Sequence, residues 1–154
     1  MLNKQIIWVG IDVGKKESVC SIDWHDNQEI SDNNNLISLP IKSIANTSEG
    51  VKLLFDWLKA NKKDIEEQIH PQCKVVYQFV MKPTGYYSNR LIKYLKAKEK
   101  DVYIAVINPA KMPAFKMLIN VKTKTGKLDA QCLARLGSIQ KPKARYEMPK
   151  DYAG

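Results

Sequence analysis

Histidine and cysteine are scarce in this chain. Its two histidines, His25 and His70, and its three cysteines, Cys20, Cys73 and Cys132, are scattered over 154 residues. No pair has the spacing of zinc ligands, and an odd, dispersed set of thiols is not a disulfide framework. Reduced thiols in a cytoplasmic protein are the simpler expectation. Long apolar runs are missing too: none approaches the roughly 20 residues that a membrane helix needs. The opening Met1-Leu2-Asn3-Lys4-Gln5 leads into a short apolar strand, not into the core of a signal peptide. Acidic residues are in deficit. Aspartate and glutamate number 16 against 25 lysines and arginines, a net charge of +9 that favours polyanionic partners. The deficit is local. Across residues 108–145 the cations are Lys111, Lys116, Lys122, Lys124, Lys127, Arg135, Lys141, Lys143 and Arg145, and Asp129 is the only acid. A solvated lysine-rich surface would have the same composition. The one-sidedness of so long a stretch points instead to phosphate contact, with Lys111, Lys116, Lys122, Lys124, Lys127 and Arg135 as the candidate nucleic-acid-binding residues.

What is present suffices for one ordinary domain, because 44% of the residues are hydrophobic. Residues 6–13 are apolar and β-branched, a buried strand that ends at Gly14. Residues 18–24 alternate as a second strand. Residues 36–44 form a third, and Pro40 suits it to a sheet edge. Thr47-Ser48-Glu49-Gly50 opens a helix with a capping hydroxyl, and its apolar face is Val51, Leu54, Phe55 and Leu58. Residues 74–81 read as a strand buried on both faces. Thr84 is placed to cap a helix running to about residue 98, with Tyr87, Leu91, Ile92 and Leu95 inward. Residues 102–107 are a fifth strand. Asn108-Pro109 signals a helix start, and Pro113 is expected to leave that helix broken or delayed. Residues 121–125 form a basic loop. Residues 127–139 form a last helix with Leu128, Cys132, Leu136 and Ile139 on one stripe. Three leading strands suit an antiparallel meander, and the later alternation suits parallel strands with right-handed crossovers. That is the order of the α/β ribonuclease H-like fold, with a mixed five-stranded sheet and flanking helices. Residues 1–140 are assigned to this domain. Residues 141–154 read as a linker or the start of a missing C-terminal domain.

Two acids stand out. Asp12 closes the run Ile-Trp-Val-Gly-Ile, where a buried carboxylate is costly unless paired, hydrogen-bonded or bound to metal. A solvated turn with Gly14 explains it equally well. Asp129 lies in the first turn of the last helix, where an acid complements the helix dipole and needs no further role. Three residues earlier, on the same helix face, stands Gly126, which offers no side chain for a carboxylate clamp.

Three segments carry a resemblance. Gly10-Ile11-Asp12-Val13, Lys82-Pro83-Thr84-Gly85-Tyr86-Tyr87, and the stretch from Asn108-Pro109 through Phe115 to Lys124-Thr125-Gly126-Lys127-Leu128-Asp129-Ala130 resemble the N-terminal domain of IS110-type transposases and the related pilin-gene invertases. The resemblance implies a RuvC-like domain with an Asp-Glu-Asp-Asp site for magnesium (Mg2+) that acts on DNA. It also implies a C-terminal domain bearing a nucleophilic serine, in some members a guide RNA, and a homo-oligomer without membrane attachment. Matched residue by residue, Asp12 takes the first catalytic and metal-binding position and Asp129 the last. The glutamate position holds Lys82 and the third acid position Gly126. Four acids would carry four negative charges; the residues present carry a net of one. An ammonium beside a metal repels it by about 1–4 kcal/mol per charge pair at a surface-like dielectric. Metal binding at Asp12 and Asp129 is therefore expected to be weak or absent.

The expected function is that of a DNA-binding RuvC-like domain of a transposase or site-specific recombinase. Two alternatives remain. One is a catalytically inactive, transposase-derived regulator or assembly subunit. The other is an actin-like or sugar-kinase relative, which the lack of a glycine-rich phosphate loop after the first strand disfavours.

Overall fold

The computed structural model describes residues 4–24, 36, 38–67, 74–118 and 126–144. Its strands are β1 (Lys4–Asp12), β2 (Glu17–Asp23), β3 (Ile41–Ala45), β4 (Lys74–Met81) and β5 (Tyr103–Val106). Its helices are α1 (Ser48–Glu66), α2 (Tyr86–Lys98), α3 (Lys111–Leu118) and α4 (Gly126–Gln140). One five-stranded sheet runs β3-β2-β1-β4-β5. The β1–β2 and β2–β3 pairs are antiparallel, whereas β1–β4 and β4–β5 are parallel. This is the mixed, ribonuclease H-like arrangement that the order of elements predicts.

Side-chain alternation along each strand divides the core in two. Ile7, Val9 and Ile11 of β1 join Cys20, Ile22, Phe79 and Met81 on one face, where α1 supplies Val51, Leu54, Leu58 and Ile65 and α2 supplies Leu91, Ile92 and Leu95. On the other face Trp8, Val80 and Ala105 meet Cys132, Leu133, Ala134 and Leu136 of α4, with Met112 and Phe115 of α3 and Leu36 and Leu39 alongside. Those extra groups close over α4, so residues 130–138 are all buried and not just the one stripe that the periodicity suggests. Gln131 is pinned there: its Nε2 donates to Leu39 O at 3.0 Å.

Several local expectations are refined. β3 is an edge strand, but it begins after Pro40, whose carbonyl accepts from Ser21 Oγ at 2.8 Å. The first half of β4 is only partly covered. Thr47 caps α1 by accepting from Gly50 N. Thr84 does not cap α2. The N-cap is Gly85, without a side-chain cap, and the Thr84 hydroxyl donates to Lys82 O at 3.4 Å. The helix after Asn108-Pro109 is delayed, starting as α3 at Lys111, and Pro113 does not break it. The proline lies in the first turn, where backbone N–H groups have no intrahelical partner, so the missing donor is no loss. Asn108 Oδ1 accepts from Ala110 N at 2.9 Å and shapes the entry to that helix.

Candidate functional site

The parallel strands β1, β4 and β5 all end at one edge of the sheet. In the β1–β4 register Ile11 faces Met81. One step further, Asp12 is level with Lys82. Alternation puts Trp8, Gly10 and Asp12 on the α4 side of the sheet, with Val80 and Lys82 beside them.

α4 reaches the same edge because it crosses β1 at very close range. A Cβ added at Gly10 would lie 2.3 Å from Ala134 N and 2.4 Å from Ala130 O. One added at Gly137 would lie 2.6 Å from the Trp8 ring. Both positions require glycine, since any side chain would push the helix off the strand. The pairing of Gly10 with Ala130 and Ala134, and of Trp8 with Gly137, makes α4 run opposite to β1. Its first turn, with Asp129, therefore stands over the strand end that carries Asp12.

The cluster that results holds two carboxylates and two ammonium groups. Lys82 Nζ lies 3.5 Å from Asp129 Oδ2, and Lys116 Nζ from α3 is bonded to Asp129 Oδ1. The side chains of Lys116 and Asp129 are 10% and 15% exposed; that of Lys82, at the rim, is 27% exposed. Burial holds the Asp12 carboxyl above the ordinary carboxylate range. Lys82 and Lys116 pull its pKa down and Asp129 pushes it up, so Asp12 senses the field of all three partners. The loop that leaves Asp12 is tied to the next layer: Asn46 Nδ2 donates to Gly14 O at 3.0 Å and Asn46 N donates to Lys16 O at 2.9 Å.

The structure thus brings together Asp12, Lys82 and Asp129, and it adds Lys116. Gly126 is the first residue of α4. Lys111 and Lys127 are exposed, at the starts of α3 and α4. Lys122 and Lys124 lie outside the described residues, as do His25, His70 and Cys73. Arg135 leaves the list of surface cations. Its side chain is 3% exposed, and its Nε donates to Asp23 Oδ2 at 2.7 Å. Ser138 Oγ donates to the same oxygen at 2.9 Å. This buried group was not anticipated. Its signal in the sequence is a polar pair, Arg135 and Ser138, three residues apart in the otherwise apolar run from Cys132 to Ile139.

The donor set does not fit magnesium or a pair of divalent ions. Both oxygens of Asp129 face ammonium groups, and Gly126 contributes no ligand. Among the described residues no group of three His, Cys, Asp or Glu side chains converges. Hard divalent cations need several oxygen donors with surplus negative charge. Here two lysines already balance the two acids.

A mixed sheet of this order, with an acid at the end of its first strand and a helical acid standing over it, defines a RuvC-like domain of the ribonuclease H-like class. The chain belongs to the IS110-type DEDD transposase family, whose family model, described as a transposase, matches residues 9–153. No curated protein matches the chain.

Proposed function

We propose that this domain binds DNA as the RuvC-like domain of an IS110-type transposase, and that it does so without housing a two-metal catalytic centre. The double ion pair at Asp129 carries the reading. It neutralises the one acid in an otherwise basic stretch and leaves the strand-end edge free of excess negative charge. Lys111 and Lys127, at the starts of α3 and α4, flank that edge, and the sequence between those helices adds Lys122 and Lys124. Strand ends of open α/β sheets are where such folds receive their ligands. Here β1 and β4 are neighbours at the point where the chain turns from the meander to the crossovers.

The test is binding of duplex DNA followed by fluorescence anisotropy over a range of salt, together with a strand-cleavage assay. The expected result is an affinity that falls steeply with salt, because cations on phosphates release counterions. Asp12→Ala is expected to leave that affinity nearly intact, since a carboxylate repels phosphate unless a metal bridges them. Metal-dependent cleavage that Asp12→Ala abolishes would overturn the second half of the proposal. A salt-insensitive or absent interaction would overturn the first.

A further inference from the structure

The two lysines of the cluster are not equivalent. Lys116 is nearly buried and bonded to Asp129 across the α3–α4 contact, so it holds the acid in place. Lys82 is more exposed, and its 3.5 Å approach to Asp129 Oδ2 is longer than an ordinary N–H···O hydrogen bond. An ammonium has three donors in a compact point charge. That of Lys82 therefore keeps donors for a further acceptor on its open side. Its main chain is well anchored, because Met81 and Pro83 on either side are buried. Beyond the turn, Tyr86 is 71% exposed with its ring edge-on to Tyr87, an aromatic pair four residues along the chain from Lys82.

We infer that Lys82 is the phosphate-binding cation of this edge, standing where a divalent ion would otherwise bridge Asp12 and Asp129 to a DNA phosphodiester, so that the contact is independent of metal. The inference rests on the DNA-binding reading above. Asp129 then serves as the anchor for both ammonium groups, and Asp12 contributes only to their electrostatic field. Lys116 completes the neutrality that lets a phosphate approach. Replacing Lys82 by an acid removes the built-in cation and leaves three carboxylates against one ammonium, a set that calls for an external cation.

The experiment compares wild type, Lys82→Ala, Lys82→Arg, Lys82→Glu and the exposed control Lys93→Ala. Duplex DNA binding is measured by anisotropy in EDTA and in magnesium, and manganese binding to the free proteins by calorimetry. Wild-type affinity is expected to be the same within about twofold with and without magnesium. Lys82→Ala should bind about tenfold more weakly, as for loss of a charged hydrogen bond, with a salt slope lower by about one phosphate contact. Lys82→Arg should keep metal-independent binding, and Lys93→Ala should match wild type. Lys82→Glu should lose binding in EDTA, regain part of it in magnesium, and bind manganese where wild type does not. Three results would overturn the inference: a wild type whose DNA binding collapses in EDTA, a wild type that takes up manganese, or a Lys82→Ala protein indistinguishable from the Lys93→Ala control. Those outcomes leave DNA binding itself standing. Absence of DNA binding in every variant would remove both proposals, and the manganese titration would still report on the cation replacement.

Discussion

Burial raises the Asp12 carboxyl above the ordinary range even with two ammonium groups nearby. The folded chain therefore favours the protonated form more than the unfolded chain does. This contribution to stability is fully present below the unfolded value, about pH 4, and is lost as pH rises through the higher folded value. Asp12→Asn keeps the shape and discards the charge. It is expected to melt at a higher temperature than wild type at neutral pH, with the advantage vanishing below about pH 4. Paired melting curves across that window check the sign; coincident curves at neutral pH would show that the lysines cancel the effect of burial, and a lower-melting variant that they outweigh it. Asp23 behaves differently. It is buried with a matched cation, so Asp23→Ala leaves Arg135 uncompensated and should cost about 3–5 kcal/mol in urea unfolding. Removing both charges together, by Asp23→Asn with Arg135→Met, should cost distinctly less. That comparison separates a buried pair from ordinary packing.

At the scale of elements, the position of the site depends on how closely α4 approaches β1. Gly10 and Gly137 allow backbone and ring contact that no Cβ can share. Gly10→Ala must lift the helix, and overpacking of this kind costs about 1–3 kcal/mol. The same shift moves Asp129 away from Lys82. Gly10→Ala is therefore expected to lower the melting temperature and also to weaken DNA binding. Gly137→Ala acts at the far end of α4, against Trp8, and should lower stability with a smaller effect on binding. Equal losses of binding in the two variants would mean that α4 moves as a rigid rod and not about its far end.

For the whole molecule, the governing quantity is the uneven distribution of charge. The chain carries +9, and its one-sided basic stretch surrounds a single acid that two lysines neutralise. Neutralising Lys122, Lys124 and Lys127 together should weaken DNA binding regardless of sequence. It should also reduce the salt slope by up to about 2.7, three contacts at roughly 0.9 each. Arg135→Met should leave the slope unchanged, because that side chain faces Asp23 inside the protein. A slope unaffected by the triple change would make the basic stretch a solvated face, and the domain would need a different partner.

Much of this was legible in the chain. Element order and apolar periodicity were enough to predict a mixed five-stranded sheet of ribonuclease H-like type, because period-two and helical patterns each bury one face. Three short segments spread along the chain were enough to suggest the transposase family. Asp12 and Asp129 were visible as candidates, but lone acids at a strand end and in a first helical turn each have an ordinary explanation. Only the tertiary structure decided which cations matter. Lys116 and Arg135 look alike in a basic stretch, yet one pairs with Asp129 at the site and the other with Asp23 in the core. Sequence lists charges one after another, whereas the energy of a charge depends on its distance to partners and its access to water. Both are set here by two glycines that let a helix settle against a strand more than a hundred residues away.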